Sequence, residues 1–202
     1  MSAVLHDLLR TKAAEAMDLD AYVGLFEQVV AEGRTTGPVQ SDDYVAYTKL
    51  NLARWRRVQK TMALLPGAAE VLRASAPLTW LVISEPWCGD AAQVVPVLAA
   101  MAAQVPGSEL RLVLRDEHPE LMDRYLTNGG RSIPKLIAID RASGAERFSW
   151  GPRPQAAQQL VLALREVHQG DWKAAAEELH RWYHADATRS TQREILALLQ
   201  AN

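Results

Sequence analysis

The chain's single cysteine, Cys88, stands where a strand-like run gives way to a helix-like one, in Leu81-Val82-Ile83-Ser84-Glu85-Pro86-Trp87-Cys88-Gly89-Asp90-Ala91. A thiol at that junction sits at a helix N-terminus, where unpaired backbone N–H groups and the positive end of the macrodipole favour thiolate over thiol. A free cysteine of pKa near 8.5 is only about 3 % thiolate at pH 7, and one lowered to about 6.5 would be roughly 75 %. Two acids lie close in sequence, Glu85 and Asp90. They can oppose ionisation of the sulfur or serve as its proton acceptors. One cysteine forms no internal disulfide and supplies no zinc site by itself. The competing reading of Cys88 is a small buried apolar residue. Downstream comes Ile133-Pro134, an X-Pro bond expected to be cis.

Other residues carry weaker signals. His180 and His184 are four apart on an expected helix with Glu177 nearby, a spacing that suits a metal pair but lacks a clear third ligand. A basic run, Lys49, Arg54, Arg56, Arg57 and Lys60, lies on one long expected helix with no acid after Asp43. It reads as a solvated face, with an anion or partner surface as the alternative. Trp172, Trp182 and Tyr183 are expected to dock a C-terminal helix onto the core. His118 and Tyr125 suggest no mechanism.

The elements that must position these residues are legible from pattern. Helices are expected over 2–17 and 19–32, then a break at Gly33-Arg34-Thr35-Thr36-Gly37-Pro38. Ser41 or Asp42 can cap a long helix over 43–65, with Tyr44, Tyr47, Asn51, Trp55, Val58, Met62 and Leu65 as its buried stripe. A short helix follows over 68–75. The texture then changes. Strands are expected over 78–84, 109–115, 135–140 and 145–150, the last two forming a hairpin around Arg141-Ala142-Ser143-Gly144. Helices are expected over 89–104, 119–127 and 154–167. Asp171 can cap another helix, and Thr188 or Ser190 one more.

The composition is that of a soluble globular chain: 202 residues, 49 % hydrophobic, net charge −2. That charge gives no field to recruit nucleic acid or an anionic membrane. No apolar run approaches the roughly 20 residues of a membrane span. Met1 to Arg10 does not read as a secretory leader, so a cytoplasmic location is expected.

From Trp80 to Val167 the sequence resembles thioredoxin, on Trp87-Cys88-Gly89, on Pro96 eight residues after the cysteine, on Ile133-Pro134 and on Gly151. More narrowly, 85–154 is similar to a bacterial thioredoxin-like subfamily with Trp-Cys-Gly-Asp followed by Ala or Cys. Arg115-Asp116-Glu117, the string from Glu120 to Gly129, and Trp150-Gly151-Pro152-Arg153 carry that resemblance. It implies an α/β thioredoxin-like fold, a mixed sheet in the order β-α-β-α-β-β-α, with a helical N-terminal extension and a helical C-terminal tail. The expected division is 1–76 extension, 77–168 thioredoxin-like domain and 169–202 tail. Ala91 occupies the position of a dithiol enzyme's second cysteine. Val82 stands where thioredoxin places a buried acid, and Leu112 or an apolar neighbour where it places the lysine partner, groups that serve that second cysteine.

The resemblance therefore implies one-thiol chemistry. Cys88 is the expected nucleophile in exchange with mixed disulfides, with a low-molecular-weight thiol and a disulfide-bearing protein or peptide as partners, and no cofactor or metal. Trp87, Gly89, Asp90, Ile133 and Pro134 would bind the substrate, the Ile-Pro turn pairing with extended peptide. Glu85 and Asp90 would tune the thiol. The rival reading is a non-catalytic adaptor that binds a partner at the Ile-Pro groove. A third is peroxide sensing through a sulfenic acid at Cys88.

Overall fold

A computed structural model describes residues 3–169 and 171–201. The chain begins with three helices, α1 (Ala3–Glu15), α2 (Leu19–Ala31) and α3 (Asp42–Thr61), and a short α4 (Ala68–Ala74). Next come β1 (Leu78–Ser84), α5 (Gly89–Ala102), β2 (Glu109–Leu114), α6 (Pro119–Met122), β3 (Lys135–Asp140), β4 (Glu146–Trp150) and α7 (Gln155–Val167). The tail holds α8 (Trp172–Asp186) and α9 (Arg189–Ala201). The strands form one mixed sheet in the order β2-β1-β3-β4. β1 runs parallel to β2 and antiparallel to β3, and β3 is antiparallel to β4. This is the α/β architecture expected from the sequence, with helices at both ends.

All seven residues of β1 are buried, as a central strand covered on both faces requires. Val82 and Leu112 are register partners across β1 and β2, and both are fully buried. The apolar pair thus fills one continuous layer. The outer edge of β2 is closed by Met17, which exchanges two backbone hydrogen bonds with Leu112 at 2.9 and 2.8 Å. An open edge would invite pairing with another chain. α2 then lies against β2 and α3, and α3 against α5. Tyr22, Phe26 and Trp55 form an aromatic cluster between α2 and α3.

The sequence overextends two helices. α3 stops at Thr61 rather than Leu65, because the buried Gln192 of α9 captures the backbone beyond it. Its side chain accepts from the Leu65 N–H at 2.9 Å and donates to the Ala63 carbonyl at 2.9 Å. The expected helix over 119–127 ends at Met122. Turns follow, Thr127 and Gly130 pair with each other, and Tyr125 points inward with its hydroxyl on Glu146 at 2.8 Å. The expected α3 stripe holds at Asn51, Trp55 and Val58. Thr48, Asn51, Leu52, Trp55 and Val58 are buried, while Tyr44 and Tyr47 are half-buried.

Gly151 fixes the approach of β4 to the Ile133-Pro134 loop. Its φ is +120°, and a Cβ there would lie 2.3 Å from the Pro134 carbonyl oxygen. Backbone on both sides leaves nothing free to move. Gly151→Ala is expected to destabilise the protein by roughly 2 kcal/mol in urea unfolding. An unchanged urea midpoint would mean the two segments are not held this close.

Candidate functional site

Cys88 is the N-cap residue of α5 and makes no side-chain cap hydrogen bond, although the nearby Asp90 and Ala91 N–H groups favour its thiolate. The Ile133-Pro134 peptide is cis, and the Cys88 thiol donates to the Ile133 carbonyl at 3.3 Å. Ala91 is buried directly after this junction. The thiol and the Ile-Pro turn therefore meet.

The thiol is nonetheless closed in. Only 9 % of Cys88 remains exposed. Burial, and next the Asp90 carboxylate, push its pKa up to about 12, against the opposing pull of the Ala91 and Asp90 N–H groups and of Arg153. Desolvation outweighs the helix terminus here, because a thiolate without water loses more than two N–H groups return.

Each residue of the cysteine motif has an internal partner. Trp87 stacks under the Arg115 guanidinium at 4.4 Å and meets Tyr44 edge-on at 5.2 Å. Gly89 faces α8 so closely that a Cβ would lie 2.8 Å from His180 Nε2. Asp90 accepts from Arg153 Nη2 at 2.5 Å, from Arg153 Nε at 3.1 Å, and from the Tyr183 hydroxyl at 2.6 Å. Arg153 holds Gln158 as well, at 2.8 Å. Pro86 accepts from the Asn51 side chain at 3.1 Å. The surface that would face a substrate is occupied by α3 and α8.

Glu85 faces elsewhere. It is fully buried, accepting from the Thr36 hydroxyl and, at 3.0 Å, from the Asp116 N–H. Burial pushes its pKa up to about 7. It clamps the 33–38 break to the end of β2, a use of Thr36 and Asp116 that no sequence signal announces. Lys135, at the foot of β3, donates to Thr127 Oγ1 at 2.8 Å and to the Gly151 carbonyl at 3.1 Å, tying together the loops behind the turn.

The two histidines do not converge on a ligand. His180 Nδ1 meets Gln93 Nε2 at 3.1 Å, and His184 Nδ1 meets Arg57 Nη1 at 3.0 Å. Among the described residues no three His, Cys, Asp or Glu side chains are grouped to hold a metal. No helix among them is long and apolar enough to cross a membrane. Tyr183 is buried and Trp182 partly so, as docking residues should be, whereas Trp172 is exposed at 46 % and carries the Arg165 guanidinium over its ring at 5.9 Å.

Arg153, Tyr183 and His180 are the site residues whose roles the sequence hides. Arg153 follows Gly151-Pro152 in a string legible as part of the resemblance, but its ion pair with Asp90 crosses 63 positions. Tyr183 reaches Asp90 across 93.

A cysteine-capped helix packed beside a cis-Pro turn on a β2-β1-β3-β4 sheet defines a thioredoxin-fold protein. The thioredoxin family model matches residues 37–178, and the chain belongs to that family. The matched stretch takes in α3, α4 and part of α8 along with the sheet. Comparison with curated proteins gave no match. Two solved structures are similar over nearly their whole length. One is an HIV epitope scaffold, at 19 % identity and TM-score 0.63, covering 96 % of this chain and 98 % of its own. The other is a protein of unknown function from Pseudomonas aeruginosa, at 19 % identity and TM-score 0.60, covering 92 % and 93 %. At that identity they establish the fold, including the helices outside the sheet.

Proposed function

We propose that this protein carries out single-thiol exchange through Cys88, and that α8 keeps the thiol latent until its Tyr183–Asp90 contact opens. The observation that carries the reading is the Cys88 thiol at the head of α5, 3.3 Å from the Ile133 carbonyl of the cis Ile133-Pro134 turn. The helix terminus stabilises a thiolate, or the departing sulfur of a mixed disulfide, once the Tyr183–Asp90 contact opens and water or substrate reaches it. In the first step the Cys88 sulfur attacks a disulfide joining a protein or peptide to a small thiol. A bond forms between Cys88 and the small thiol's sulfur. The protein sulfur leaves as thiolate and takes up the proton that Cys88 gave up. A second molecule of the small thiol then attacks the mixed disulfide, producing the symmetrical small disulfide and free Cys88. With Ala91 in the second-cysteine position, release must come from outside the chain. The expected setting is the cytoplasm, where small thiols are reduced.

A specific observation favours the rival. The buried thiol, together with the engagement of Trp87, Gly89 and Asp90 by α3 and α8, fits a binding protein that has kept the fold and abandoned the chemistry.

The alkylation rate of Cys88 against pH separates them. With a thiol pKa near 12, direct attack at pH 7 draws on a thiolate fraction of roughly one in 100,000. Native labelling is therefore expected to be on the order of 100-fold or more slower than in the unfolded chain, and limited by opening. Tyr183→Phe removes one contact between α8 and α5 and should speed both labelling and uptake of glutathione from its disulfide. A Tyr183→Phe protein that takes up no glutathione at Cys88 would sink the exchange reading and leave the binding protein in front.

A further inference from the structure

The basic face of α3 divides in two. Arg56 turns outward to Glu27, at 2.8 Å. Arg54 and Arg57 turn inward, toward α5 and α8, and neither has a carboxylate within ion-pair distance among the described residues. Arg54 is half-buried and donates to the neutral Asn51 side chain at 2.8 Å. Burial pushes its pKa down to about 10, and Arg57 repels it further. Arg57 donates to Gln93 Oε1 at 2.8 Å and faces His184 Nδ1 at 3.0 Å. Asp90 of α5 is engaged by Arg153 and Tyr183, and Asp186 at the end of α8 by the N–H and hydroxyl of Ser190. His180 is held neutral at neutral pH, its pKa lowered to about 4 by burial and then by Arg54.

Two partly buried, like-charged guanidiniums on one helix face, three residues apart, are unfavourable without an anion. Arg57 borders a cavity of about 170 Å³ between α3, α5, α8 and α9. Arg57, His184 and Gln93 line it beside the threonines 61, 188 and 191. Pockets that enclose a whole small molecule usually measure about 300–1,000 Å³. This one suits a single anionic group with a few atoms attached. Tyr183 lines the cavity as well, and its hydroxyl bonds Asp90, two residues past Cys88.

We propose that this cavity binds a carboxylate or phosphate group, the anionic end of a small-molecule thiol whose sulfur reaches Cys88. The assignment to a thiol rests on the exchange reading above; the anion site stands without it. Arg57 supplies the charge in a planar fork suited to oxoanions. His184, Gln93 and the threonine hydroxyls supply further polar contacts.

The test is calorimetric titration of the full chain with inorganic phosphate, and then with S-methylglutathione, which has two carboxylates and no free thiol. Saturable phosphate binding is expected. It should weaken at least about tenfold in Arg57→Gln and by a smaller factor in His184→Gln, with both variants folded by circular dichroism. Absence of saturable binding, or unchanged affinity in both variants, overturns the site. S-methylglutathione should compete with phosphate; failure to compete overturns the ligand class and leaves a plain anion site. Cys88→Ser should bind phosphate as the parent does. Binding in that variant, combined with no glutathione uptake at Cys88 in Tyr183→Phe, would separate failure of the exchange reading from failure of the anion site.

Discussion

Replacing Asp90 with alanine is expected to cost about 3–5 kcal/mol of stability while making Cys88 more reactive. Asp90 is buried at 7 % exposure and accepts from Arg153 and from Tyr183, joining α5, the β4–α7 loop and α8. Its removal strands a guanidinium whose side chain is 12 % exposed, with Gln158 as its remaining hydrogen-bond partner. It also frees the Tyr183 hydroxyl inside the protein. The same carboxylate is the second-largest cause of the raised Cys88 pKa, after burial. Losing it leaves burial alone to oppose the Arg153 charge and the α5 N–H groups. Alkylation at pH 8 should therefore accelerate at least about tenfold, the effect of removing one nearby like charge. Asp90→Asn separates the two contributions. The amide oxygen still accepts from Tyr183 or Arg153, so less stability is lost, but the charge is gone. A Cys88 labelling rate in Asp90→Asn equal to the parent's would show that burial alone holds the thiol, and that Asp90 serves only to fasten the tail.

The strands and most helices were legible in the sequence because each is marked locally. Leu78 to Ser84 is an unbroken apolar run between prolines, the β3–β4 hairpin turns at Ser143-Gly144, and Asp171 caps α8 through its own side chain. The meeting of Cys88 with Ile133 was legible through resemblance alone. What stayed hidden was contact at long range between polar groups. Nothing near Gln192 says that it will end α3, and nothing near Thr36 says that it will bond to Glu85. The sequence placed Glu85 and Asp90 together as modulators of one thiol. In the structure one side chain lies on the Cys88 side of the fold, bonded to Tyr183, and the other faces Thr36 and Asp116. Residues five apart across a strand-to-helix junction are free to diverge, so spacing could not decide it. The closure of the site by α8 was equally beyond reach, because an amphipathic tail helix carries no address for the surface it covers.

Glu85→Gln is expected to stabilise the protein at pH 8 by about 3 kcal/mol and to leave it nearly unchanged at pH 4. Glu85 is fully buried, and its pKa is raised from 4.5 to about 7, first by burial and then, against the Thr36 and Asp116 hydrogen bonds, by the Asp116 charge, with Arg115 opposing. A carboxyl whose folded pKa exceeds its unfolded value favours folding in its protonated form. The stability it contributes is fully present below about pH 4.5 and is lost as pH rises through 7. Glutamine copies the protonated acid. Its carbonyl accepts from the Asp116 N–H and its amide donates to Thr36, with no charge to desolvate. Surface carboxylates such as Asp123 and Asp140, whose pKa values are lowered by Arg131 and by Ser143, work in the opposite sense and lose stability on acidification. The parent's own profile therefore mixes both signs. The difference between variant and parent in urea unfolding isolates Glu85, and it should climb between pH 4.5 and 7 and then level off. A flat difference would mean that Glu85 is ionised throughout and that its two donors outweigh burial. Because Glu85 faces away from the thiol, Cys88 alkylation in Glu85→Gln should follow the parent's at constant pH. The loop clamp and the latent thiol are then two independent devices on one strand-to-helix junction.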